Sequence, residues 1–185
     1  KALLQRVAQY DKVFVYMPTW RDSQRECFAN GFDLEAFNEC LKQQNAYALM
    51  KPHANTIIDK SQKYSNLEFI DGNVDMYTIL PFTDVLITDY SSVMYDYMLM
   101  PEKKIILFHY DYEEYVQERE FIFPVDENVV GKRVYTFDEM LRVMSDNDFE
   151  MNIEERKRIM GKFWGDTMST DVCAEIYKRL GLCEA

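Results

Sequence analysis

The chain has 185 residues, 48% of them hydrophobic and 29% charged, which is enough for one domain with a full core and an ordinary balance for a soluble globular protein. An aromatic content of 15%, with 13 Tyr and 12 Phe, excludes a disordered chain. A net charge of −11 argues against a general nucleic-acid binder, which needs a basic face, and against a broad electrostatic grip on anionic lipid.

Apolar runs of strand character alternate with segments of helical periodicity. After a short helical lead-in, Val13 to Met17 is the first predicted strand. Phe32 to Gln44 follows as a helix with Leu34, Phe37 and Leu41 on one face. Tyr47 to Met50 is a second strand, running into Lys51-Pro52-His53, and Leu67 to Ile70 a third, ended by Asp71-Gly72. Asn73 is placed to cap a helix carrying Met76, Ile79 and Leu80. Val85 to Thr88 is the fourth strand, and Ser91 to Met100 its helix, stopped by Pro101. Lys104 to Phe108 is the fifth strand. Thr136 to Met144 opens with a capping box made by Thr136 and Glu139. Two closing helices are predicted near Ile153 to Trp164 and Thr170 to Leu180. This alternation implies a parallel sheet covered on both faces, a single Rossmann-like doubly wound α/β domain over residues 1–185.

No apolar stretch approaches the roughly 20 residues that span a bilayer. The opening Lys1-Ala2-Leu3-Leu4-Gln5-Arg6 turns polar too soon for a signal peptide, and the absence of an initial Met fits a fragment or processed chain. Cys27, Cys40, Cys173 and Cys183 have neither zinc spacing nor a disulfide framework, as expected of thiols in a reducing cytoplasm. No glycine-rich dinucleotide fingerprint is present, so no nicotinamide cofactor is expected. Asp71-Gly72-Asn73-Val74-Asp75 lacks the spacing and terminal Glu of a calcium loop and reads as a turn with a helix cap; no metal site is expected.

The chemistry-bearing residues gather where strands end. Thr88-Asp89-Tyr90-Ser91-Ser92 is a polar turn between a buried strand and a helix start, an arrangement that offers N–H groups and hydroxyls to a phosphate at the carboxyl edge of the sheet. The same serines also suit simple N-capping. Asp89 would repel a diphosphate, so it orients the turn or accepts from a hydroxyl, whereas Asp96 sits in the first turns of the helix, where the dipole favours an acid. His53 follows a strand and is suited either to donate to a phosphate oxygen or to make a structural hydrogen bond. Arg21 fits a carboxylate or a phosphate in fork geometry, with Asp22 the adjacent structural partner. Against the global negative field, a phosphate ligand needs local cations such as Lys51, Arg21 and Arg119. The aromatics from Tyr110 to Tyr115 suit core packing or stacking on a base, and His109 reads as structural.

Four blocks, in this order, carry a resemblance: Tyr16-Met17-Pro18-Thr19-Trp20-Arg21-Asp22; Lys51-Pro52-His53; Asp84 to Asp96 with its Ile87-Thr88-Asp89-Tyr90-Ser91-Ser92 centre; and Tyr110-Asp111 through Tyr115. Over roughly residues 13 to 123 the chain resembles the C-terminal half of the CDP-glycerol glycerophosphotransferase family, the teichoic-acid-type polymerases and primases of bacteria. The resemblance implies the donor-binding half of a GT-B enzyme that moves a polyol-phosphate unit from CDP-glycerol or a related CDP-polyol to a lipid-linked polymer acceptor. It implies no cofactor, and a location on the cytoplasmic face of the membrane. It makes His53 a catalytic histidine, and Ser91, Ser92, Asp89, Asp96, Arg21, Lys51 and Arg119 the donor-binding set. A second histidine, the general base, belongs to the N-terminal half of such enzymes. The chain departs from the pattern in four places. Pro52 precedes His53 rather than following it, Glu120 replaces a glycine after Arg119, Val129-Val130-Gly131-Lys132 stands where a Pro-Gly-Pro-like element is expected, and Asp166-Thr167-Met168-Ser169-Thr170-Asp171 lacks the arginine of an Asp-Gly-x-x-Ser-x-Arg element. Two other readings stay open: half of a GT-B glycosyltransferase or epimerase binding a UDP- or GDP-sugar, and a non-catalytic binding domain.

Overall fold

A computed structural model describes residues 2–21, 32–52, 62–119, 121–146, 149–165 and 171–181. Helix α1 (Ala2–Val7) leads into β1 (Lys12–Tyr16), followed by α2 (Leu34–Gln43), β2 (Ala46–Met50) and β3 (Leu67–Phe69). Next come β4 (Val85–Thr88), α3 (Val93–Tyr97), β5 (Lys104–Phe108), α4 (Tyr112–Glu118), α5 (Val125–Asn128) and β6 (Lys132–Val134). Helices α6 (Phe137–Ser145), α7 (Ile153–Phe163) and α8 (Val172–Arg179) close the chain. Among the described residues six strands form one sheet in the order β3-β2-β1-β4-β5-β6, with every neighbouring pair parallel. This is the doubly wound, Rossmann-like arrangement that the alternating pattern predicts.

Because both faces are covered, alternate residues of each central strand enter different cores. Val13 and Val15 of β1 pack with Leu86, Ile105 and Leu107, and with Val93, Met94 and Tyr97 of α3 and Ile159 of α7. Phe14 and Tyr16 pack on the opposite face with Ile87, Ile106 and Phe108, under Phe37 and Leu41 of α2 and Met140 and Met144 of α6. Cys40 contributes a free, buried thiol to that second core. The side chains of the other three cysteines lie outside the described residues.

Several elements differ from expectation, each for a local reason. The helix expected after Asn73 is instead two 3-10 turns, Met76–Thr78 and Leu80–Phe82. Asp75, not Asn73, caps the first by accepting from the Tyr77 amide at 3.0 Å, and Pro81 opens the second without the N–H a continuous helix would use. The helix after Ser92 is regular only to Tyr97 and runs to Met100 through hydrogen-bonded turns. Helices α4 and α5 and strand β6 were not expected. Strand β6 is a three-residue edge strand beginning Lys132-Arg133, too short and charged to register as an apolar run. The capping box of α6 forms as the sequence dictates, with Glu139 N–H donating to Thr136 Oγ1 at 3.2 Å.

A buried arginine on α7 fastens this helix to the sheet. The Arg156 guanidinium donates to the carbonyls of Met98 (2.8 Å), Pro101 (2.9 Å) and Lys103 (3.2 Å), and also to that of Met100. The chain enters β6 through Gly131, whose φ of +153° L side chains rarely adopt, and whose position brings a Cβ to 3.0 Å from Ile105 Cγ2, Ile105 O and Leu107 Cγ. Gly131→Ala therefore forces β6 away from β5, and a loss of roughly 1–3 kcal/mol is expected from backbone strain and overpacking together. Urea denaturation of the variant checks this; an unchanged midpoint would mean that the edge strand yields at no cost.

Candidate functional site

In the strand order the chain runs outward from β1 through β2 to β3, then crosses back to β4 on the other side of β1. The carboxyl ends of β1 and β4 flank this reversal, the place where open α/β sheets form a ligand crevice. The segments leaving those two strands, Met17 to Arg21 and Asp89 to Ser92, are bound together across it. Met17 N–H donates to Ile87 O at 2.9 Å, and Thr88 Oγ1 to Met17 O at 2.7 Å.

Asp89 is the centre of the arrangement. Its buried carboxylate accepts from the Thr19 backbone N–H (2.8 Å), from the Thr19 hydroxyl (2.5 Å) and from the Tyr90 N–H (2.6 Å), and pairs with Arg21 Nη2 at 2.8 Å. Arg21 in turn forks onto Asp111, Nε to Oδ2 at 2.6 Å and Nη2 to Oδ1 at 3.0 Å, while Nη1 donates to Thr19 O at 2.7 Å. Burial pulls the guanidinium's pKa down. The Asp111 hydrogen bond and the charge of Asp89 more than offset this and hold it above its ordinary value. The rings of Tyr115 and Tyr90 stand 4.6 Å and 5.3 Å from the guanidinium carbon, adding cation–π contacts.

Arg21 was expected to bind phosphate with Asp22 as its structural alternative. It is instead buried between Asp89 and Asp111, two carboxylates that consume its charge and its geometry. Its place is inside the wall of the crevice, where a ligand phosphate would meet a cluster carrying a net negative charge. Asp89 orients the turn and accepts from a hydroxyl, the role its chemistry suggested. Thr19, Tyr90 and Asp111 had no assigned part, although all three stand in blocks that carry the family resemblance.

On the outer side of the turn, Ser91 is half-buried and Ser92 exposed. Val93 N–H reaches Ser91 Oγ at 3.4 Å, and the Ser92 side chain makes no capping bond. Both hydroxyls therefore carry little intramolecular demand. Beside Ser91 opens a cavity of about 270 Å³ lined by Met94, Tyr95, Phe121, Phe123 and Val129. Asp96, one turn beyond Ser92, accepts from the Tyr77 hydroxyl at 2.6 Å. Lys51, at the end of β2, directs its ammonium to the carbonyls of Asp71 (2.6 Å) and Gly72 (2.8 Å). Arg119 is the half-buried C-cap of α4, its backbone N–H donating to Tyr115 O. His53 lies outside the described residues, as does Asp22. No group of three His, Cys, Asp or Glu that could hold a metal occurs among the described residues.

His109 is buried, stacks on Tyr90 at 4.8 Å between ring centroids, and directs Nε2 to the Asp89 carbonyl at 3.3 Å. This agrees with a structural part. Burial lowers its pKa, only partly opposed by the hydrogen bond to Asp89.

The sequence profile of the family described as CDP-glycerol:poly(glycerophosphate) glycerophosphotransferase matches residues 5–168, well past the point near Phe123 where the motif pattern weakens. Teichoic acid ribitol-phosphate polymerase TarL of Staphylococcus aureus is 32% identical over 149 residues, which make up 75% of this chain and 26% of that protein. The teichoic acid glycerol-phosphate transferase of the same organism is 28% identical over 178 residues, 90% of this chain and 45% of its own. The chain thus spans less than half the length of these curated relatives. Among solved structures, the wall teichoic acid polymerase TagF superposes with a TM-score of 0.70 at 22% identity, over 97% of this chain and 48% of that one. A variant of that polymerase soaked with CDPG gives a TM-score of 0.69.

Two outcomes are expected from this geometry. Arg21→Met leaves Asp89 and Asp111 facing each other in a buried setting, and a loss of about 3–5 kcal/mol of stability is expected, the cost of breaking a buried ion pair from one side. Chemical denaturation decides it; a loss below about 1 kcal/mol would mark the cluster as effectively solvated. The second outcome concerns pH. The folded pKa of His109 lies below its unfolded value of about 6.5, so the unfolded chain binds the proton more readily. Stability contributed by neutral His109 is full above about pH 6.5 and declines as pH falls through that value, until the folded pKa is passed. Melting curves of the wild type and of His109→Gln between pH 5 and 7.5 should differ in slope, the variant being flatter.

Proposed function

The chain belongs to the CDP-glycerol:poly(glycerophosphate) glycerophosphotransferase family, and on that footing we propose that it is the donor-binding half of a transferase that passes a glycerol-phosphate or related polyol-phosphate unit from a CDP carrier to a teichoic-acid-like polymer. The observation that supports this most directly is the meeting of two family blocks, the one ending at Arg21 and the one centred on Asp89 to Ser92, at the crossover of the sheet. Chemistry of a CDP donor suits what is found there. A diphosphate needs hydrogen-bond donors, and Ser91 and Ser92 offer hydroxyls not consumed by capping. The apolar cavity beside Ser91 suits a part of the donor that carries no charge.

In the transfer, an acceptor hydroxyl attacks the β-phosphorus of the donor, the bond from that phosphorus to the bridging oxygen breaks, and CMP departs with the electron pair. The acceptor's proton passes to a base, which the family resemblance puts in the other half of such enzymes. This chain's contribution is to hold the diphosphate and to stabilise charge on the departing CMP, a task the family resemblance gives to His53. Because relatives include both ribitol- and glycerol-phosphate enzymes, the polyol is either of these. The acceptor is a lipid-linked polymer, and the intact enzyme works at the inner face of the membrane as a peripheral protein. No helix among the described residues is long and apolar enough to cross a membrane.

Calorimetric titration with CDP, UDP and GDP tests the reading, CDP being preferred. Ser91→Ala combined with Ser92→Ala is expected to weaken CDP binding by roughly tenfold or more, since each hydrogen bond to a charged group contributes about 1.5–3 kcal/mol. In an NMR titration the imidazole of His53, and not that of His109, should respond to CDP. Binding of no nucleotide at all would favour the non-catalytic alternative, and preference for UDP or GDP the sugar-nucleotide one.

A further inference from the structure

Asp96 stands on α3 one turn after Ser92, and its carboxylate accepts from a tyrosine of a different segment. Tyr77 stands on the first 3-10 turn, Met76–Thr78, and donates its hydroxyl to Asp96 Oδ2 at 2.6 Å. The ring is 58% exposed, so the bond is not a by-product of core packing. It is a short, charge-assisted bond, and chiefly through it the Tyr77 hydroxyl is pushed up to about 12. Ser92 and Asp96 are four residues apart at the start of α3 and share a face. The bond therefore draws Tyr77 to the face of α3 that carries the Ser92 hydroxyl.

The segment bearing Tyr77 runs from an exposed stretch into the core, where Ile79 and Leu80 are buried. Residues 71–75 are exposed, and Met76 is the buried residue of the three-residue turn. Its opposite end is tied by Lys51, whose ammonium donates to the carbonyls of Asp71 and Gly72. One cation at the end of β2 and one anion on α3 thus hold the two ends of a short segment that leaves the carboxyl end of β3.

We infer that Asp96 and Lys51 are positioning residues: they fix the 71–78 segment as one wall of the crevice, and Asp96 acts on the bound donor through Tyr77, whose ring lies along the Ser92 side of the site. This rests on the donor-binding reading above and assigns Asp96 and Lys51 a part different from direct phosphate contact.

A double-mutant cycle with a dynamic readout tests it. In Tyr77→Phe, which keeps the ring, and in Asp96→Asn, CDP affinity measured by calorimetry should fall by a similar factor, roughly three- to tenfold for the loss of one charge-assisted bond. The double variant should be no weaker than either single one. Amide hydrogen exchange across residues 71–78 should quicken in all three, while the β4 and β5 amides keep their protection. A loss of CDP affinity in Asp96→Asn without one in Tyr77→Phe would overturn the inference, because Asp96 would then touch the ligand itself. Faster exchange with unchanged affinity would also overturn it, leaving the strap a feature of the fold alone. Failure of the donor-binding reading looks different: the unaltered chain then binds no CDP, and the inference falls with that reading.

Discussion

The carboxylate of Asp89 is the constraint on which the site depends. A buried carboxylate demands compensation of several kcal/mol, and here it comes from two backbone N–H groups, one hydroxyl and one guanidinium. Two of those donors belong to Thr19 beyond β1 and one to Tyr90 beyond β4. Satisfying the charge therefore draws together two loops 70 residues apart in sequence. Arg21 needs both Asp89 and Asp111, and Asp111 follows β5, so the same requirement reaches a third strand end. The positions of Ser91 and Ser92 are a consequence: the turn that presents them is pinned one and two residues earlier.

Charge inside the wall and hydrogen-bonding capacity at its surface are thereby separated. Arg21 is spent on two carboxylates, and the ammonium of Lys51 on two carbonyls. In a chain of net charge −11, a diphosphate bound at this edge as proposed would rely on neutral donors in fixed positions more than on a field of positive charge. Such a site discriminates by geometry. Hydroxyls and N–H groups have directions, whereas a flexible lysine attracts any anion that comes near.

Much of the fold was legible because its strands are buried on both faces. Runs such as Val85-Leu86-Ile87 and Ile105-Ile106-Leu107 have no polar side to confuse the pattern. Thr136 and Glu139 could be read as a capping box because both partners lie within one turn. Strand β6 escaped because an edge strand gains from charge what a central one gains from apolar surface. The helical periodicity after Asn73 does not become a helix because Pro81 divides the segment. In the site, the strand-turn-helix around Ser91 was visible from the local order of residues, an apolar run followed by a polar turn and two serines. The partner of Arg21 was not: Asp22 is adjacent in sequence, whereas the residue that forks onto it lies 90 positions away. Local reasoning finds which groups are at a sheet edge, but not which of them cancel one another.

The four carbonyls gathered by Arg156 bear on where this domain may be cut. Residues 98–103 lie between α3 and β5, leading into the amino end of β5, and four of their carbonyl groups accept from that guanidinium. Removing the chain from α7 onward would spare every strand of the sheet, yet it would take the shared donor away from four carbonyls, one of them the buried Met98. The smallest autonomous folding unit is accordingly longer than its sheet, and its C-terminal boundary is drawn by one side chain on a peripheral helix.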